Sequence, residues 1–153
     1  MRNNKSVYLY SISAKKLTAR GRNVKLSAIF REASVSQLIQ AKSQLLQLIA
    51  RPEHRFAETL AFIDRYFFYT PSAFRNGDLH SAASENQGSC KILALAKLWQ
   101  LSVPEVLLCF GEHYRALKQE PEGHSHPNLR RIERDGLAQI EFEIFPLTAK
   151  DTD

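Results

Sequence analysis

The chain has 153 residues, 44% of them hydrophobic and 24% charged, with a formal net charge of +5. That length and composition fit one globular domain with a real core, and no apolar run approaches the roughly 18 residues needed to span a bilayer. Two cysteines, Cys90 and Cys109, are too few for a disulfide framework and suit a reducing, cytoplasmic setting.

The charge is uneven. Residues 1–33 carry eight of the 21 basic residues and one acid, Glu32, which leaves the remainder slightly acidic. The net charge therefore does not make the body of the chain a nucleic-acid binder. The leader lacks the uninterrupted apolar stretch of a secretory signal. Its basic, serine-containing, acid-poor make-up fits a disordered tail or an organelle transit peptide.

Order is expected from Ser34. Ser34-Val35-Ser36-Gln37 has the spacing of a capping box, and Leu38, Ile39, Leu45, Leu46 and Ile49 follow at helical spacing. Arg51-Pro52 stops that helix. Phe56, Leu60, Ile63 and Phe67 mark one face of a second helix, which ends near Phe68. Pro71 then forces an extended piece reaching Phe74. Asn76-Gly77 is a turn signal, since both residues tolerate positive φ. A third helix begins at Asn86 or Ser89, with Ile92, Leu93, Ala96 and Trp99 inward.

Ser102-Val103-Pro104-Glu105 is a second capping box. Val106, Leu107, Phe110, Tyr114 and Leu117 then keep a helical step through Gly111. A glycine within a helix costs about 1 kcal/mol relative to alanine, so Gly111 implies the close approach of another backbone, for which the Asn76–Asn86 loop is the candidate. Ser125 opens a fifth helix and Gly136 closes it. Ala138, Ile140, Phe142 and Ile144 alternate with polar residues as a half-buried strand does. The extended Tyr69–Phe74 piece is its best partner.

Four blocks carry a resemblance: Thr70-Pro71-Ser72-Ala73-Phe74-Arg75-Asn76-Gly77 with Asn86-Gln87-Gly88-Ser89-Cys90-Lys91; Cys109 to Arg115; His126-Pro127-Asn128-Leu129-Arg130; and Gly136 to Phe142 with Pro146-Leu147. In this order and spacing they resemble the HopJ family of type III effectors over residues 38–147. Ser72 stands where that family tends to have Thr, and Leu129 where it tends to have Ile. The resemblance implies bacterial origin and export into a host cell, with the leader as a secretion signal. It implies no particular chemistry.

The residues themselves offer two. Cys90 in the first turn of the third helix would meet free N–H groups and the positive end of the macrodipole, which favour a thiolate. Lys91 adds positive charge, and His126 and Asn128 would supply a base and an orienting group, as in Cys-His-Asn hydrolases. The competing reading is a small buried cysteine. Alternatively, Gly88-Ser89-Cys90-Lys91 binds an anion at a helix N-terminus, with Asn76, Asp78 and Asn86 as a polar floor and Arg130 as a cation. Against this stand ordinary capping by Ser89 or Asn86, loop-bracing side chains and solvated arginines. His124 and His126, two apart, suit a loop better than a metal-ligand pair, and no cofactor is expected.

The expected architecture is therefore mainly α within α+β. It has about five helices, a small two-stranded β element and a long ordered loop over residues 70–91, in a single domain over residues 34–153. That loop should meet the His126–Arg130 segment. The expected function is a non-catalytic binding module for a small anionic ligand or a partner protein. The alternative is a cysteine-nucleophile hydrolase or transferase using Cys90 with His126.

Overall fold

The computed structural model describes residues 24–150, with side chains from residue 35 onward. The chain divides between Gln44 and Leu45, and the fold that follows is that of the second unit. Among the described residues there are six helices and five short strands. They are α1 (Val24–Ile49), α2 (Phe56–Tyr66), β1 (Phe67–Tyr69), β2 (Phe74–Asn76), β3 (Leu79–Ser81), α3 (Gln87–Trp99), α4 (Val103–Cys109), α5 (Glu112–Gln119), α6 (Pro127–Asp135), β4 (Ile140–Phe142) and β5 (Leu147–Ala149). The architecture is mixed α+β and mainly α, and no described helix is long and apolar enough to cross a membrane.

Several element boundaries differ from expectation. α1 begins at Val24, so Ser34 lies inside a helix instead of capping one. Serine is only mildly unfavourable in a helix interior, so the Ser-x-x-Gln spacing alone starts nothing. Of the basic leader, residues 1–23 lie outside the described residues. α2 stops at Tyr66, and Phe67 already has the extended angles of β1, as an aromatic run prefers.

The β structure is larger than the two-stranded element expected. β1 pairs with β5, and a second sheet has the order β3-β2-β4, all antiparallel. Phe67 faces Ala149 and Phe74 faces Phe142, so both ladders share one register. Between them, the Thr70 N–H donates to the Pro146 carbonyl at 2.8 Å and the Glu143 N–H to the Ala73 carbonyl at 3.0 Å. Residues 67–76 and 140–149 thus form one antiparallel ribbon, interrupted where Pro71 offers no N–H. The expected partner for the C-terminal strand is in place, but regular pairing falls on the flanks of Tyr69–Phe74. Ala138 and Ile144 lie outside β4, and Ile144 is exposed.

The core is organised around α3. Ile92, Leu93, Ala94, Leu95 and Ala96 are all buried, so this helix is covered on nearly every side. Leu45, Ile63, Phe67, Val106, Leu129 and Ile140 belong to the same apolar cluster. The capping box at α4 forms as the sequence suggests. The Ser102 N–H donates to Glu105 Oε2 at 2.7 Å, and the Glu105 N–H donates to Ser102 Oγ at 3.4 Å.

The single helix expected from Val103 to Leu117 is two. Gly111 separates α4 from α5 with φ 52° and ψ −122°, and the His113 N–H donates to the Phe110 carbonyl across it at 3.1 Å. Those angles belong to the second position of a type II′ turn, which suits glycine. A Cβ there would sit 2.5 Å from the Phe56 nitrogen and 2.7 Å from the Arg55 carbonyl carbon. A close backbone approach at Gly111 exists, but the start of α2 makes it, not the Asn76–Asn86 loop.

A buried polar chain secures the same junction. The Thr59 hydroxyl donates to the Cys109 carbonyl at 2.8 Å and lies 2.7 Å from His54 Nε2. The hydroxyl has one proton and the carbonyl can only accept, so His54 Nε2 carries a proton and donates it. Arg115 donates to the His54 carbonyl at 2.7 Å, and Glu112 accepts the Phe56 N–H at 2.7 Å. The first turn of α2 is thereby locked to α4 and α5.

Candidate functional site

A cavity of about 250 Å³ opens where several helix ends converge. The start of α3 contributes Gly88 and Ser89 with Asn86 just before it, and the start of α6 contributes Pro127, Asn128 and Leu129 with His126 just before it. Phe56 from α2, Phe110 from the end of α4 and His113 from α5 complete the wall. The Asn86–Ser89 turn and the His126–Leu129 segment thus come together at one place.

Two features set its polarity. Asn86 and His126, the residues preceding α3 and α6, both adopt left-handed backbone angles (φ 48° and 53°), and neither caps its helix with its side chain. Asn and His enter that region more readily than most residues. The Asn86 amide donates instead to Ser81 Oγ at 3.0 Å. The His126 ring packs against the His113 ring, with centroids 4.9 Å apart. The first-turn N–H groups of two helices are therefore left without capping side chains at the cavity wall. Among the described residues, no carboxylate lines the cavity.

The apolar side is equally defined. Phe56 stacks on Phe110 with centroids 5.8 Å apart and meets the His113 ring edge-on at 4.8 Å. Gly88 makes room for it, because a Cβ at that position would lie 2.5 Å from Phe56 Cζ. Burial first, then His113 and Arg130, hold the His126 imidazole below its ordinary value.

The sequence-predicted residues fall into three groups. Asn86, Ser89, His126 and Asn128 line the cavity, although Asn86 and Ser89 do not cap α3 as expected. Asn76 is buried beneath it, donating to the Asn128 carbonyl and to Asn128 Oδ1, both at 3.2 Å. Asn128 is thereby tied to Asn76 and does not orient His126.

The charged candidates are engaged elsewhere. Lys91 pairs with Asp64 at 2.8 Å and lies over the Tyr69 ring at 4.9 Å. Arg130 donates to the carbonyls of Ser125, Pro121 and Glu120, clamping the loop before α6. Asp78 pairs with Arg131 at the β2–β3 turn.

Cys90 lies in surroundings that differ from those the nucleophile reading requires. Its N–H is bonded to the Asn86 carbonyl at 2.9 Å, so the amide that would favour a thiolate is already used. The residue is 1% exposed, and its thiol donates to the Ser72 carbonyl at 3.7 Å. Burial pushes the thiol pKa up despite the neighbouring Tyr69 and Ser72. Cys90 is not among the cavity-lining residues, so the site does not pair it with His126.

Nothing in the sequence singles out Phe56, Phe110, His113, Pro127 or Leu129 as site residues. The one available signal was Gly111, whose backbone neighbour carries Phe56.

The comparisons agree with this fold. A profile of the HopJ type III effector protein family matches residues 40–147. The solved structure described as "Crystal structure of unknown function protein VPA0580" is 40% identical, with a TM-score of 0.65, over 71% of this chain and 92% of that one. No curated protein matches. The family match covers well over half of the chain, including every segment that lines the cavity, and the chain belongs to the HopJ type III effector protein family.

Proposed function

We propose that this chain is a non-catalytic binding module whose cavity between the starts of α3 and α6 takes a small anionic ligand. The observation that carries this reading is the convergence of two side-chain-uncapped helix starts and two imidazoles on one cavity that, among the described residues, no carboxylate lines. First-turn N–H groups and the helix macrodipole favour negative charge there. The volume of about 250 Å³ lies at or below the small end of ligand pockets. The hydrolase or transferase alternative gains no support, since the Cys90 thiol is buried against Ser72 and Tyr69.

A thermal-shift panel of acetate, benzoate, sulfate and phosphate against neutral benzyl alcohol tests the reading. A saturable rise in Tm with an anion, lost in a Ser89→Phe variant that fills the cavity, supports it. No rise with any anion, or an equal rise in the filled variant, sinks it. The family description also carries export through a type III system. A translocation-reporter fusion to the full chain tests that separately.

A further inference from the structure

We propose that the cavity binds its ligand together with a proton, and that the ligand class is a monocarboxylate on a flat apolar body, with His126, packed against the His113 ring, as the proton-accepting residue. This rests on the binding reading above and names its ligand and its pH response.

The geometry supplies the argument. The two rings lie 4.9 Å apart at the wall of one cavity. α2 and the end of α4 bring only Phe56 and Phe110 to that wall, and the start of α3 brings Asn86, Gly88 and Ser89, none of them ionisable. From α5, Glu112 lies next to His113 in sequence, but its carboxylate accepts the Phe56 N–H at 2.7 Å and has Arg55 at 3.9 Å. From α6, Arg130 spends its guanidinium on three carbonyls. The fixed cations nearby are thus engaged, and the charge that can appear in response to a ligand is on the His126 imidazole.

Without an anion, His126 is held below its ordinary value, so near neutral pH its ring is uncharged. A bound carboxylate reverses that balance, because an opposite charge within a few ångströms favours the protonated ring. The proton comes from hydronium or buffer acid in solvent and forms an N–H bond on the imidazole, and no other covalent bond changes.

That single proton also limits the charge of the ligand, since it gives the site one unit of positive charge and not two. That matches a monoanion better than a phosphate dianion. The stacked Phe56–Phe110 shelf, with Pro127 and Leu129 also at the wall, suits a flat apolar body.

Titration calorimetry on the full chain tests this with benzoate, inorganic phosphate and benzyl alcohol as probes. Each is run at about pH 6 and about pH 8, in two buffers of different ionisation enthalpy. Benzoate should bind with uptake approaching one proton. Its affinity should fall by up to about tenfold per pH unit as pH rises through the range in which His126 gives up its proton. A His126→Asn variant keeps a residue tolerant of left-handed angles and should bind with a flattened pH response.

Benzoate binding equally at both pH values with no proton uptake would overturn this inference and leave the binding module standing. So would phosphate binding as tightly as benzoate, or an unchanged pH response in His126→Asn. If neither anion binds at either pH, both readings fail. The proton count comes from the natural chain, so a variant that misfolds does not remove the test.

Discussion

Replacing Gly111 by alanine discriminates sharply between the helix that the sequence suggests and the turn that the structure contains. In a continuous helix Gly111→Ala would stabilise the protein by about 1 kcal/mol. Here the residue sits at φ 52° and ψ −122°, where an L-side chain costs about 1–3 kcal/mol. The new Cβ would also meet backbone atoms of Arg55 and Phe56 at 2.5–2.8 Å. Backbone cannot swing aside as a side-chain tip does, so the overpacking adds about 1–3 kcal/mol. The total is about 2–6 kcal/mol, a large share of the roughly 5–15 kcal/mol by which domains are stable. With a urea slope of about 1–3 kcal/mol per molar, the midpoint should fall by about 2 M. Gly136→Ala is the control: φ is 77° there, but the nearest atom to its Cβ, on Val103, is 3.9 Å away, so strain acts without the clash. A Gly111→Ala midpoint unchanged or raised, at constant slope, would refute the reasoning.

Three further outcomes are expected. Iodoacetamide at pH near 8 should label neither cysteine in the native protein, because burial raises the Cys90 thiol and pushes Cys109 up to about 12. Rapid native labelling of Cys90, followed by mass spectrometry, would revive the nucleophile reading. His54 has its pKa lowered, chiefly by burial, so the unfolded chain binds the proton more readily than the native one. The stability from this group is complete above the ordinary value of about 6.5 and declines as pH falls below it toward the depressed native value. Urea midpoints between pH 7.5 and 5.5 should fall for the natural chain and fall less for His54→Gln; equal slopes would contradict the assignment. Asn76→Ala removes both bonds to Asn128 and should cost about 1–3 kcal/mol. Asn76→Asp should cost more, since it sets a carboxylate against two acceptor oxygens, and urea melts of the pair would show the order.

The legible parts of the fold were those with local causes. The Ser102–Glu105 box, the Asn76-Gly77 turn and the Gly136 stop each act through the backbone of a few neighbouring residues. The break at Gly111 was hidden because Phe110, Tyr114 and Leu117 keep a helical step across it. Apolar spacing reports burial, and both flanking helices bury their faces against the same core. The strands were partly hidden because runs of three residues carry almost no alternation.

At the site, the meeting of the Asn86–Ser89 turn with the His126–Leu129 segment could be inferred from the density of special residues in both. The roles of Lys91, Arg130 and Asp78 could not, because their partners (Asp64, the Glu120–Ser125 carbonyls and Arg131) lie on other elements or in the preceding loop. Cys90 misled for a related reason. Its position near a helix start is local, whereas its burial is set by how α3 packs among its neighbours.

The central claim is that the cavity binds a small anion, and the amide spectrum of the full chain tests it most directly. On titration with benzoate, the resonances of Gly88, Ser89, Asn128 and Leu129 should shift together and saturate, because those N–H groups lie in the first turns at the cavity wall. Saturating shifts confined to other surfaces, or none at concentrations that saturate ordinary small-ligand sites, would contradict the account.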